Sequence, residues 1–131
     1  MMENVSKYAF MEQDRPILKA ELVGNKDYPN VKGDIYMYIL DNGFYLQGDF
    51  SGLPKNSDFA FHVHEGLLCE DPGDKMLFLP DVMSDALGNA SAQIFLDRID
   101  VNTLADHPIM IHLKADGQEI TVACDVLERV L

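Results

Sequence analysis

His62 and His64 are separated by one residue within Phe61-His-Val-His-Glu65, and a third imidazole, His112, sits in Met110-Ile-His-Leu-Lys114. On a β-strand, side chains at i and i+2 face the same way, so His62 and His64 project together. Phe59, Phe61 and Val63 face the other side and read as core. In the later run Ile109, Ile111 and Leu113 are the apolar set, which puts His112 on the opposite, outward face. If two such strands lie side by side, three neutral imidazoles can meet at one borderline-soft ion such as copper or zinc. Against this stands the plain reading of two exposed strand histidines and an unrelated third. For an isolated H-x-H pattern the plain reading is the stronger one.

The elements that must position these rings are short and extended. Strand-like alternation covers residues 17–23, 31–40, 44–50, 59–65, 90–96, 109–113 and 120–127. In the second of these, Val31, Gly33, Ile35, Met37 and Ile39 line one face, with Lys32, Asp34, Tyr36 and Tyr38 on the other. Asp41-Asn-Gly43 between the second and third is a hairpin signal. Residues 101–105 can make a single helical turn, and no segment carries a sustained helical period. Many short strands separated by turns predict an all-β antiparallel sandwich or barrel, in one domain spanning residues 1–131. Residues 67–88 form the longest stretch without clear alternation. They read as a long loop starting on the His62–His64 strand, able to cover the site or to serve as a plain surface crossover.

Composition narrows the function classes. A formal charge of −12 argues against nucleic acid and anionic membranes, which both need a basic footprint. It is also awkward for an enzyme acting on an anion, which local cations would have to guide. Lys75 and Lys114 are the nearest candidates in sequence. No apolar run reaches the length of a membrane span. The first residues, Met1-Met-Glu-Asn-Val-Ser-Lys-Tyr8, show neither a basic n-region nor an apolar h-region, so no export signal is visible. The compartment and the oligomeric state stay open.

Beyond the histidines, an ordered set of motifs resembles the copper/zinc superoxide dismutase family. These are Val31-Lys-Gly-Asp-Ile35, Phe44-Tyr-Leu-Gln-Gly-Asp-Phe-Ser-Gly-Leu-Pro54, Phe59-Ala-Phe-His-Val-His-Glu65, His112-Leu-Lys-Ala-Asp116 and Val122-Ala-Cys-Asp-Val126. The last two are similar to the family's H-x-K-A-D and L-A-C-G-V, and the likeness runs from about Lys19 to Val126. The resemblance implies a Greek-key β-sandwich or flattened barrel. It also implies one copper ion held by His62, His64 and His112. Asp116 matches the family's aspartate that orients metal-binding histidines, with an ordinary turn aspartate as the alternative. Cys69 and Cys124 align with the family's intrasubunit disulfide, which would suit an oxidising compartment. Two buried free thiols in a reducing one are the alternative.

The departures are as informative. The family's copper–zinc bridging histidine should follow Cys69 and Gly73, but Asp74, Lys75 and Met76 stand there. Asp81 matches the family's zinc aspartate, Phe78 replaces a zinc histidine, and one carboxylate does not make a closed zinc site. The expectation is therefore copper without zinc. The long loop after H-x-K-A-D shrinks to Gly117-Gln-Glu119, and the anion-guiding arginine is Thr121. Lys75 is the candidate replacement for the bridging residue, attracting superoxide and supplying a proton; the alternative is a solvated loop lysine. His107 lies an odd number of residues from His112 and reads as a loop residue outside the ligand set.

Three functions follow. The resemblance implies a copper-dependent dismutase converting superoxide to dioxygen and hydrogen peroxide. Loss of the arginine, the zinc ligands and the long loop favours a copper-binding or buffering module without turnover. A metal-free scaffold of the same fold is the third, and retention of the three histidines counts against it.

Overall fold

The computed structural model describes residues 15–130. The segment on which the export-signal reading rests lies outside them. Among the described residues nine strands form one antiparallel sheet: β1 (Leu18–Gly24), β2 (Lys32–Leu40), β3 (Gly43–Ser51), β4 (Asp58–His64), β5 (Lys75–Met83), β6 (Ala90–Asp97), β7 (Pro108–Ala115), β8 (Gln118–Val126) and β9 (Glu128–Arg129). The strand order is β5-β4-β7-β8-β1-β2-β3-β6, with β9 added alongside β1. The sheet curls into a barrel that is hydrogen-bonded throughout except between its ends, where β5 and β6 approach each other without pairing.

Alternation drives this curling. Leu18, Ala20 and Leu22 of β1, Ile35 and Met37 of β2, Phe44 and Leu46 of β3 and Ile94 of β6 all bury one face in a common core. Ile39, expected on the same stripe as Met37, is half exposed, because β2 runs out of the barrel there into the Asp41-Asn42 turn. Gly33 and Gly48 leave room for the Phe50 ring: a Cβ on Gly33 would stand 2.6 Å from it. Phe50 in turn meets Phe61 edge-on at 5.8 Å. The helical turn expected over residues 101–105 is a 3₁₀ turn, Val101–Leu104, capped by the Asp100 carboxylate. It buries Val101 and Leu104 against the core.

One expectation is corrected. Residues 67–88 are not a structureless loop, because they contain the nine-residue strand β5. Its alternation is disguised. Leu77, Leu79 and Val82 turn inward, but register shifts against β4 fall between Lys75 and Leu77 and between Leu79 and Val82 and break the period of two. Pro80 reads as a strand breaker, yet β5 is an edge strand with a side that needs no ladder donor. Ahead of β5 the segment 67–74 folds back against the end of β4, with its Gly73 carbonyl on His64. It is tied down by Glu65 N–H to the Asp74 carbonyl (2.8 Å) and Gly66 N–H to the Pro72 carbonyl (2.6 Å). The sulfurs of Cys69 and Cys124 stand at disulfide distance, 2.13 Å, joining this segment to β8.

Phe61 is completely buried and lies where β4 meets both β7 and Phe50. Phe61→Ala is expected to cost about 3–5 kcal/mol, read from the shift in a urea unfolding midpoint.

Candidate metal centre

Strands β4 and β7 are neighbours, and their register places the histidines. Phe61 pairs with Ile111 and Val63 with Ile109, both pairs facing the core. The intervening residues must then face outward: His62 opposite Met110, and His112 opposite Ala60. The three rings converge. Their centroids are 5.9 Å apart for His62–His64, 5.2 Å for His62–His112 and 5.6 Å for His64–His112. One nitrogen from each can be chosen so that all lie within 4.8 Å of one another. Although on the outer face, all three are buried, with 3–6% of their surface exposed. The covering segment after β4 and the side chains of β5 account for this.

Two of the three rings meet a hydrogen-bonding neighbour at Nδ1. His64 Nδ1 lies 3.0 Å from the Gly73 carbonyl, which can only accept, so Nδ1 carries the proton and Nε2 keeps its lone pair. His112 Nδ1 bonds the Thr121 hydroxyl at 2.9 Å. The nitrogens left over are His62 Nδ1, His64 Nε2 and His112 Nε2, each buried with no hydrogen-bond partner. A buried polar atom left unpaired costs about 1–3 kcal/mol. Three such atoms on converging rings fit a shared cation, because ligand nitrogens need free lone pairs. Burial pushes the His62 and His112 imidazoles below their ordinary range, His112 to about 4. Lys75 pushes His62 further, and the other two rings push His112 further. Both stay neutral at pH 7 and able to coordinate. Three imidazoles suit copper, zinc, iron or nickel, so the donors alone do not select the metal.

Around the triad, several expectations change. Asp116 does not orient a histidine: it is exposed in the β7–β8 hairpin at φ 51°, next to Gly117 at φ 76°, a turn that aims it into solvent. Thr121, standing where the resemblance places an arginine, holds His112 instead. No alternation signals this role, since a register shift between Ile111 and His112 brings Thr121 opposite His112. Asp81 pairs with Lys114 on the exposed surface. Phe78 packs its ring edge-on against His62 at 4.8 Å. Lys75 is the first residue of β5, opposite His64, and its ammonium binds Glu119 Oε1 at 2.8 Å. Lys75 holds the Glu119 carboxyl below the usual carboxylate range. His107 lies outside the triad, its Nδ1 bonded to the Gly66 carbonyl at 3.0 Å. Met110 is buried between His62 and Cys124, while Met83 is exposed.

Fold and site together define a nearly closed antiparallel barrel with a buried three-histidine cluster on its outer face. Compared with known proteins, the chain matches no protein-family model and no curated protein.

Two outcomes follow. Thr121→Val is expected to weaken metal binding about 10–100-fold and Thr121→Ser to restore most of it, measured by competition with a chelator. The His112 imidazole takes up its proton more readily when unfolded, at the ordinary 6.5, than when folded, at about 4. Between those values the unfolded state binds more protons, so metal-free protein loses stability as pH falls from 6.5 toward 4. The loss is about 3 kcal/mol for this group, and His112→Gln should flatten that part of the stability–pH curve.

Proposed function

We propose that this chain is a copper-binding protein of the superoxide dismutase type, with His62, His64 and His112 holding one copper ion and superoxide as its substrate. The observation that carries the reading is the convergence of three buried imidazoles that can offer one nitrogen each within 4.8 Å, every ring also holding a buried nitrogen without a partner. The ordered motifs that resemble the copper/zinc superoxide dismutases favour copper over the other metals that suit imidazole. The pairings of β4 with β7, β3 with β6 and β8 with β1 are compatible with a Greek-key path. Asp81 is committed to Lys114 and Phe78 to His62, which supports a site without a zinc neighbour.

Bound copper would supply one-electron exchange with superoxide, two anions and two protons leaving as dioxygen and hydrogen peroxide. The chain's own residues do the rest. The Gly73 carbonyl keeps His64 presenting Nε2, and the Thr121 hydroxyl engages His112 at Nδ1 and leaves its Nε2 unpartnered. The covering segment and Phe78 keep the rings dry. Lys75, close enough to perturb His62 and His112, is the cation that would draw in an anion and hold a proton at Nζ. One observation favours a second reading, a copper-holding module without turnover: the Lys75 ammonium is already neutralised by Glu119.

Metal-free protein titrated with copper is expected to take up one ion per chain. His64→Ala should abolish that stoichiometry, and His107→Ala should leave it intact. A superoxide assay on the loaded protein then separates the two readings. In an active protein Lys75→Glu lowers the rate and Lys75→Arg largely keeps it, the difference shrinking as salt rises. Absence of stoichiometric copper binding in the wild type would sink both.

A further inference from the structure

The Lys75–Glu119 ion pair joins strands that are not neighbours. In the order β5-β4-β7-β8, Lys75 lies on the first and Glu119 on the last. The histidines lie on the two strands between. Lys75 stands opposite His64 in register, and Glu119 lies two residues from Thr121, the partner of His112. The link therefore passes over the outer faces of β4 and β7, across the triad. Its ammonium also sits 5.6 Å from the centre of the Phe78 ring, whose edge rests on His62. Ion pair and ring form one cover over the imidazoles.

We propose that Lys75 and Glu119 are a strap across the three-histidine site, and that small ions reach the triad only when this pair opens. Glu119 occupies the place on Lys75 that an incoming anion would take. Lys75 occupies the place on Glu119 that an incoming cation would take. While closed, the pair offers neither ion a net charge. Both side chains keep 35% of their surface exposed. Ion pairs in such settings are weak and give way to salt, so the strap opens readily and ionic strength sets how often. Entry to the triad is then governed by the opening of a surface pair. The shrunken β7–β8 hairpin makes this possible, because it keeps Glu119 within reach of β5.

The inference rests on the triad being an ion site, but its test uses metal-free protein and so does not depend on copper. The probe is diethyl pyrocarbonate, which acylates neutral imidazole nitrogen, with the rate at each histidine read by mass spectrometry. His107, outside the strap, is the internal reference. At about 20 mM salt, Glu119→Gln and Lys75→Met are each expected to speed modification of His62, His64 and His112 by about threefold or more, the scale set by the weakness of an exposed pair. His107 should not change. Raising salt to about 1 M should bring the wild type up to the variants and leave the variants where they were. The exchange Lys75→Glu with Glu119→Lys rebuilds the pair in reverse and should restore wild-type protection. Equal rates in wild type and Glu119→Gln would overturn the proposal. So would faster modification of His107 alongside the triad, or failure of the exchanged pair to protect. Failure of the wild type to bind copper would remove the copper function and leave this result standing.

Discussion

The pairing of β4 with β7 is the constraint on which the rest of this structure hangs. Phe61 against Ile111 and Val63 against Ile109 form a continuous inner surface, and each of these residues is fully buried. A strand has only two faces, so committing this set to the core commits His62, His64 and His112 to the opposite side. A slip of one residue would drive imidazoles into the hydrocarbon interior and expose phenylalanines to water. The energy that fixes the register is hydrophobic, and the site geometry follows from it. Chemistry and folding here share one strand register.

Having placed the rings outside the core, the chain still buries them, and this needs a second layer. The segment between β4 and β5 supplies it with few apolar residues of its own. It is held instead by attachments: the Gly73 carbonyl on His64, the Gly66 carbonyl on His107, and Cys69 close to Cys124. Some of these attachments also define the rings' chemistry, since the atom that anchors the cover is the atom that fixes a tautomer. Nδ1 of His64 and of His112 is spoken for, and their Nε2 atoms are left to compete for a cation. The lowered pKa values of His62 and His112 result first from burial, and burial results from the cover.

Much of this was legible in the residues. Alternation placed β1, β2, β3, β4, β6, β7 and β8 to within a few residues, and the i, i+2 spacing of His62 and His64 with the phase of His112 pointed to the cluster. The parts that stayed hidden share one cause, which is irregular pairing. Shifts on either side of Leu77–Leu79 masked β5, and the shift beside His112 concealed that Thr121 would meet its ring. Sequence neighbours cannot report contacts across strands far apart in the chain, so Glu119 looked like a hairpin residue and Lys75 like part of a loop. Asp116 shows the reverse case. Its motif matched, but a turn with Asp116 and Gly117 both at positive φ took its side chain away from the histidines.

The unpaired seam between β5 and β6 has a bearing on how molecules of this chain meet one another. A barrel with one open junction keeps two strand edges, and bare edges invite edge-to-edge association between copies. The residues that obscured β5 as a strand also blunt it: Pro80 offers no N–H to an incoming strand, and the ladder beside it is kinked. A net charge of −12 adds long-range repulsion between copies at low ionic strength. Resistance to edge-to-edge pairing is thus shared between one imino acid at an edge and an excess of carboxylates, and salt weakens only the second.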